Sequence, residues 1–178
     1  MATIDLIVLG MLRQQAMSAY DIQKLVEYRN ISKWVKISTP SIYKKVIQLE
    51  EKGLLQSVPV RENNMPEKAV YSLTTRGEQE FEHLMKELSN QPIRMFLDFN
   101  AVIVNLENVP LDMQKSCIAN IEKNVRDLKA CLQENLREKE NVPEVPKTGM
   151  AVLRQQYVLA QAIEAWIEEL KQEGQGCV

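Results

Sequence analysis

Cysteine, histidine and glycine are scarce in this chain, and each scarcity excludes a class of protein. Among 178 residues there are three cysteines, one histidine and six glycines. The cysteines, Cys117, Cys131 and Cys177, fit no zinc-ligand spacing, which argues against a disulfide framework and favours a reducing cytoplasm. With His83 as the single histidine, a histidine-based metal site within one chain is nearly excluded. Few glycines among many helix-forming residues predict a mainly α-helical protein.

Long apolar runs and catalytic motifs are missing as well. The apolar stretch 4–12 is short, is interrupted by Asp5 and is followed by no cleavage-site pattern, so we expect neither a signal peptide nor a membrane span. There is no phosphate-binding glycine loop and no cysteine–histidine nucleophile pattern. Ser41-Ile-Tyr-Lys44 and Lys147-Thr-Gly149 imitate two parts of a β-lactamase signature, but the Ser-Asp-Asn part is absent. We therefore expect no enzyme, no cofactor and no metal site.

What the chain does have is a strongly basic segment between Lys33 and Lys45. Four lysines and no acid fall there, in a chain whose formal net charge is −2. Thr39 and Pro40 predict the cap and the first residue of a helix, and Gly53 predicts its end. At about 100° per residue, one face of this helix is apolar. The other face carries Ser41, Lys44, Lys45, Gln48 and Lys52. This pattern predicts a DNA-recognition helix, with an ordinary solvated face as the alternative.

Two helices are predicted before this segment. Apolar residues at helical spacing indicate a first helix that ends near Gln14 or Gln15. Ser18 and Asp21 form a capping-box pattern for a second helix that runs to about Tyr28. The order of these helices is that of a helix-turn-helix core.

A β-hairpin is predicted directly after the basic helix. Residues 54–60 and 68–73 have the composition of strands, and the polar residues 61–67 would form the tip between them. Thr74 predicts the cap of one more helix. A two-stranded β-wing after a helix-turn-helix is the layout of a winged helix, whose tip can lie along the DNA backbone.

Four segments of this half resemble the PadR family of bacterial transcriptional regulators. They are Ser18-Ala-Tyr-Asp-Ile22, Ile37-Ser-Thr-Pro-Ser-Ile-Tyr-Lys44, Leu49-Glu-Glu-Lys-Gly-Leu-Leu55 and Tyr71-Ser-Leu-Thr-Thr-Arg-Gly77. They stand in the family's order and at compatible spacing, over roughly residues 3–90. Ser18-Ala19 departs from the His-Gly pair that the family usually has before the tyrosine. The resemblance implies a winged helix-turn-helix domain that binds double-stranded DNA.

For that domain, residues 1–90, we expect nine DNA contacts. They are phosphate or guanine contacts by Lys44 and Lys45, base reading by Ser41 and Gln48, backbone contacts by Tyr20, Thr39 and Tyr43, and wing contacts by Arg61 and Lys68.

The second half, residues 91–178, is predicted to be a helical dimerisation domain. Apolar residues recur at helical spacing over 91–106, step by three and four over 111–139, and form a further stripe over 150–171. The last of these resembles the closing helix of virulence-activator-type PadR proteins, whose C-terminal helices form the dimer. The expected interface residues are Ile118, Ile121, Val125, Leu128, Leu132, Tyr157, Ile163 and Ile167, with the core of one chain as the alternative.

Trp34 and Trp166 form a candidate effector pocket, because relatives in the PadR family bind phenolic or planar aromatic compounds. Packed tryptophans are the alternative. The sequence as a whole predicts a cytoplasmic homodimeric repressor that binds an inverted-repeat operator. The competing hypothesis is a winged helix that docks onto another protein and binds no DNA.

Overall fold

The computed structural model describes residues 2–61, 67–143 and 145–175. The chain divides into two compact units between Arg94 and Met95, near the predicted division after residue 90. Over the ranges described, no helix is long and apolar enough to cross a membrane.

The first unit has the predicted winged-helix fold. Its helices are Ala2–Gln14 (α1), Ala19–Tyr28 (α2), Ser41–Glu51 (α3) and Thr75–Ser89 (α4), and its strands are Met17–Ser18 (β1), Leu55–Val60 (β2) and Lys68–Leu73 (β3). The strands form an antiparallel sheet in the order β1-β3-β2, with Met17 opposite Tyr71 and Val60 opposite Lys68. The predicted two-stranded wing is β2–β3, and the sheet has one further strand, β1, whose two residues are too few for a periodic pattern.

The start of α2 confirms the predicted capping box. The Asp21 amide donates to Ser18 Oγ at 3.2 Å, and the Ser18 amide donates to the Asp21 carboxylate at 3.3 Å. These two bonds satisfy donors that the first helical turn would leave unpaired.

The start of α3 differs from the prediction by one residue. Helix α3 begins at Ser41, Pro40 is its cap residue, and the Thr39 side chain makes no capping bond. The amides of Ser41 and Ile42 donate instead to the carbonyl oxygens of Ser38 and Thr39. A backbone turn therefore satisfies the donors that the Thr39 hydroxyl was predicted to satisfy.

The end of α3 confirms Gly53 as the stop. Gly53 has a φ of 70°, a left-handed conformation that glycine adopts without steric cost. Its amide donates to the Glu50 carbonyl at 2.7 Å, and the Leu54 amide donates to the Leu49 carbonyl at 3.0 Å. This pair of bonds is a Schellman motif, which turns the chain sharply from α3 into β2.

Thr74 and Gly77 fasten α4 against this turn. The Thr74 hydroxyl donates to the Gly53 carbonyl at 2.8 Å and accepts from the Gly77 amide at 3.1 Å, which confirms the predicted cap. A Cβ on Gly77 would lie 2.1 Å from the Leu54 carbonyl oxygen. Only glycine permits this close approach of backbone to backbone.

The first unit has a continuous apolar core in which α1 is central. The completely buried side chains are Val8, Leu9, Ile22, Val26, Ile42, Val46 and Leu49, from α1, α2 and α3. Removing a side chain of this size from water contributes about 1.5–3 kcal/mol. The core therefore fixes one face of α3 toward the interior.

The second unit is built on a helical hairpin. Its helices are Asn100–Ile103 (α5), Leu111–Lys139 (α6) and Lys147–Gln175 (α7), with a 3₁₀ turn at Leu106–Asn108. The bounds of α6 match the apolar pattern. Within 91–106, where the apolar spacing predicted a helix, α5 is the α-helix that forms. Met95 and Phe96 are 60% and 82% exposed, so they do not pack against a core that would stabilise a longer helix. The predicted loop 141–149 is shorter than expected, because α7 begins at Lys147, directly after Pro146.

Ion pairs set the antiparallel register of α6 and α7. Lys171 Nζ lies 2.9 Å from Glu122, Arg126 lies 3.7 Å from Glu168, and Lys129 pairs with Glu164. Residues nearer the end of α6 therefore pair with residues nearer the start of α7.

This hairpin buries two residues that were predicted to form the dimer interface. Val125 is 6% exposed and Ile167 is 1% exposed within one chain. The ion-pair register places both at the same level of the hairpin. The predicted seam is thus partly the core of a single chain, because α7 covers it.

Candidate nucleic-acid interface

Helix α3 presents a mixed polar and apolar face to solvent. Tyr43 is 52% exposed, Ile47 is 43% exposed, and Ser41 and Lys44 are exposed as well. The opposite face lies in the core, so this outer face is the part of α3 that can touch a partner. Lys33 and Lys36, in the segment before α3, are also exposed.

Lys45 does not belong to this face, contrary to the prediction. It is 8% exposed, and its Nζ lies 2.8 Å from Oδ1 of Asp5 in α1. Lys45 is three residues after Ile42 and four before Leu49, a spacing that places it on the buried side. The carboxylate from α1 makes this burial possible because it compensates the ammonium charge. The exposed charge of the basic segment is therefore +3 instead of +4.

Three further residues predicted to contact DNA, Gln48, Thr39 and Tyr20, are half-buried or exposed. Gln48 and Thr39 are half-buried beside the exposed face of α3. Tyr20, at the start of α2, is 59% exposed, and Lys24 Nζ lies 5.6 Å from the centre of its ring.

Arg61 and Lys68 mark the end of the β2–β3 wing. Arg61 is exposed, Lys68 is half-buried, and Lys68 stands opposite Val60 in the sheet. The predicted tip between them lies largely outside the described residues, at positions 62–66.

Ile47 is an exposed residue that sequence reasoning missed. Because Ile42, Val46 and Leu49 of the same helix lie in the core, an isoleucine there is expected to be buried as well. However, Ile47 is three residues after Lys44 and four after Tyr43, so it shares their face. This spacing of three and four residues from Lys44 and Tyr43 is the sequence signal that could have identified Ile47 as exposed.

The two tryptophans of the candidate effector pocket lie in different units. Trp34 is 37% exposed in the first unit. Trp166 is half-buried in the second, where its ring stacks on Phe99 with centroids 5.9 Å apart. Trp166 is therefore packed within its own unit, which agrees with the alternative hypothesis of packed tryptophans.

The thiols and acids offer no metal site in the part of the chain described. Cys117 is half-buried and Cys131 is exposed, and both are free thiols, whereas Cys177 lies outside the described residues. No group of three or more histidine, cysteine, aspartate or glutamate residues in those ranges could hold a metal ion.

Comparison with known protein families and structures relates this architecture to one group of regulators. The profile of the transcriptional regulator PadR-like family matches residues 8–83. No curated protein matches the sequence significantly.

Solved structures match over nearly the whole chain. PadR of Bacillus subtilis in complex with operator DNA has 20% identity and a TM-score of 0.79, covering 94% of this chain and 97% of that one. The same protein in complex with p-coumaric acid has 18% identity and a TM-score of 0.76, covering 94% and 92%. The virulence activator AphA of Vibrio cholerae has 22% identity and a TM-score of 0.71, covering 98% and 99%.

At these identities the structural matches establish the fold, and the profile match falls on the unit that contains the basic helix. PadR-like proteins are transcriptional regulators and not enzymes, in agreement with the absence of catalytic motifs noted above. Residues 8–83 of this chain match the PadR-like family of transcriptional regulators, and the chain has the fold of the solved structures named above.

Proposed function

We propose that the chain is a homodimeric DNA-binding repressor whose α3 helices enter successive major grooves of an inverted-repeat operator. The observation that carries this proposal is the exposed face of α3, where Lys44 stands beside Tyr43 with no acid between Lys33 and Lys45. Lysines near phosphates give binding that weakens steeply with salt. The operator complex of the similar Bacillus subtilis PadR supports the assignment. Such a repressor would act in the cytoplasm.

Each candidate contact residue, on α3 and beside it, has a proposed role. The roles are phosphate or guanine binding by Lys44, base reading by Ser41 and Gln48, contact with a thymine methyl by Ile47, backbone contacts by Tyr20, Thr39 and Tyr43, and wing contacts by Arg61 and Lys68. Lys45 is left out, since its ammonium faces Asp5.

Replacing Lys44 tests DNA binding. The probe is the duplex that the wild-type protein selects from a random-sequence pool. We expect Lys44→Ala to weaken its binding and to reduce the slope of log K against log salt by about 0.9, the value of one phosphate contact. Lys86→Ala, at an exposed lysine of α4, is the matched control and should leave the slope unchanged.

The competing function, docking onto an acidic protein, predicts a different result. In that case the wild-type protein would show no salt-dependent affinity for any duplex, and selection would enrich no inverted repeat. Either finding would contradict the proposed function.

The second unit supports dimerisation because it leaves apolar side chains uncovered. Leu128, among the predicted interface residues, is 51% exposed. Ile118, Ile121, Leu132, Tyr157 and Ile163 are half-buried. Further exposed apolar residues, Met95, Phe96, Val104, Leu111 and Met113, precede or begin α6. A second copy of the chain would cover surface of this kind, since exposed apolar patches mark association sites.

Light scattering tests the dimer. We expect Phe96→Ser combined with Met113→Ser to convert the dimer to a monomer and to weaken operator binding with it. Met85→Ser, at a methionine of α4 that is 51% exposed, is the control and should stay dimeric. A wild-type protein that is monomeric at all concentrations would exclude this part of the proposal.

An aromatic effector that relieves repression completes the proposal. Bacillus subtilis PadR has been crystallised with p-coumaric acid, and Trp34 and Trp166 are the candidate contacts here. Titration with p-coumaric acid should quench tryptophan emission and weaken operator binding, and Trp34→Phe and Trp166→Phe should each reduce the quenching. If emission and binding both stay constant, this chain does not respond to that acid.

A further inference from the structure

We propose that the buried ion pair between Lys45 and Asp5 positions the recognition helix, and that it determines how well the protein distinguishes its operator from other DNA. The inference rests on the proposed function, because it assigns a role within the same DNA-reading helix. Lys45 is a positioning residue in this account, since its charge acts through α1 and not on the DNA.

The pair is well shielded from water. The side chain of Lys45 is 10% exposed and that of Asp5 is 15% exposed, with Nζ and Oδ1 2.8 Å apart. Oδ1 makes no hydrogen bond among the described residues, so the ion pair with this ammonium is what compensates its charge. Each charge therefore depends on the other for compensation inside the protein.

Stability alone does not account for a charged pair at this place. Its neighbours on α3 are Ile42, Val46 and Leu49, all 0–1% exposed. An apolar pair of similar volume at such positions is often as stable as a buried ion pair or more so. Apolar contacts, however, tolerate small rotations and shifts of a helix, whereas a hydrogen-bond-length contact between charges selects one arrangement.

The geometry makes this selection relevant to DNA reading. Asp5 lies in α1, the central helix of the core, and Lys45 lies one residue after Lys44 on α3. A rotation of α3 that lengthens the Lys45–Asp5 contact also turns Ser41, Lys44 and Gln48 away from their bases. Base contacts depend on bidentate geometry, and each discriminates by about 1–3 kcal/mol, whereas phosphate contacts are more tolerant. The pair should thus affect specificity more than general affinity.

Two double variants separate positioning from other roles. In the first, Asp5→Leu with Lys45→Met replaces the pair by apolar side chains. In the second, Asp5→Lys with Lys45→Asp restores the pair with its charges exchanged. The measured quantity is the ratio of affinities for the duplex selected by the wild-type protein and for a duplex of the same length with scrambled sequence. Circular dichroism and thermal unfolding verify the fold of both variants.

We expect the apolar variant to lose about tenfold in this ratio, the order of one base contact, while its salt slope stays that of the wild type. The exchanged variant should recover most of the ratio, because the ion pair again fixes the helix. A purely structural role would change the melting temperature and leave the ratio unchanged.

Two results would overturn the inference. One is a folded apolar variant with the wild-type ratio. The other is an exchanged variant that stays defective and has a salt slope lower by about 0.9, which would show that Lys45 itself contacts phosphate. If the wild-type protein selects no duplex at all, the proposed function fails before either variant is tested.

Discussion

The two units bury apolar surface to very different extents. Among the residues that the structure describes, sixteen buried apolar side chains form the core cluster of the first unit, whereas the second unit has four, Val125, Met150, Ala160 and Ile167. The units are of similar length, 94 and 84 residues. The first unit can therefore hold its fold by its own core, and the second needs further burial.

The units also differ in how their helices are held together. In the first, hydrogen bonds at Thr74 and Gly53 join α3, β2 and α4, and the ion pairs Lys45–Asp5 and Arg13–Glu78 join α3 and α4 to α1. In the second, α6 and α7 are joined by a small apolar core and by a row of ion pairs, such as Glu122–Lys171 and Arg126–Glu168. Arg126 and Lys171 reach solvent, and ion pairs screened in this way contribute only about 0–1 kcal/mol each. This difference fits the proposed dimer, in which a second copy of the chain would cover apolar surface of the second unit.

Matched truncations of the two cores should give the largest effects. Leu9 and Ile167 are 0% and 1% exposed, and replacing either by alanine should cost about 2–5 kcal/mol. For Leu9→Ala we expect the loss to be independent of protein concentration. For Ile167→Ala, the unfolding midpoint of α6–α7 should fall and should still rise with protein concentration, because association stabilises the folded second unit by mass action. Urea unfolding at several protein concentrations measures both, and equal behaviour would remove the contrast between the units.

Gly77→Ala should give the next largest effect, confined to the first unit. The added Cβ would meet the Leu54 carbonyl oxygen at 2.1 Å, so the turn between α3 and β2 must move. We expect a loss of about 3 kcal/mol. Operator binding should fall with it, while light scattering should still detect the dimer. Unchanged urea stability would show that the close approach is not tight.

Much of the first unit could be predicted because its elements end at local signals. The capping bonds of Ser18 and Thr74 and the turn at Gly53 involve backbone groups three to five residues away, so a short stretch of sequence determines each boundary. Strand β1 carries no such signal, because its two residues acquire their structure by pairing with β3. Thr39 was misjudged because a backbone turn competed with its side chain.

The sites were harder to predict than the elements. The burial of Lys45 depends on Asp5, which lies forty residues earlier in the chain and in another helix. In the second unit, apolar spacing could not distinguish the core of one chain from an interface between two chains. Val125 and Ile167 belong to the core, and Leu128, on the same helix as Val125, is exposed.

Acid should weaken the second unit through Glu122. A hydrogen bond from Lys171 holds the pKa of Glu122 below its usual value, against the effect of burial. A group with a lowered pKa stabilises the fold above its unfolded pKa, about 4.3, and that contribution is lost as pH falls through the folded value. We therefore expect the urea midpoint of α6–α7 to drop below about pH 4.

Glu122→Gln is the control for this prediction, since it should reduce the acid dependence. In the first unit, the pKa of Glu27 is also lowered, by hydrogen bonds from Gln23 and Lys24. All three residues lie on α2, so protonating Glu27 separates no helices. A Glu122→Gln variant whose α6–α7 midpoint keeps the acid dependence of the wild type would contradict the role assigned to the ion pairs across the hairpin.

Gly149→Ala should give the smallest effect, and one of opposite sign to Gly77→Ala. Gly149 lies in the first turn of α7, and the nearest atom to an added Cβ would be Pro146 Cδ at 3.9 Å, an ordinary contact. Alanine restricts the unfolded chain and favours the helix, so we expect a gain of about 0.5 kcal/mol. The gain should appear in the unfolding of α6–α7 and leave operator affinity unchanged. A loss of stability would mean that the first turn of α7 is packed more tightly than this distance indicates, and that the second unit, too, has a close backbone contact.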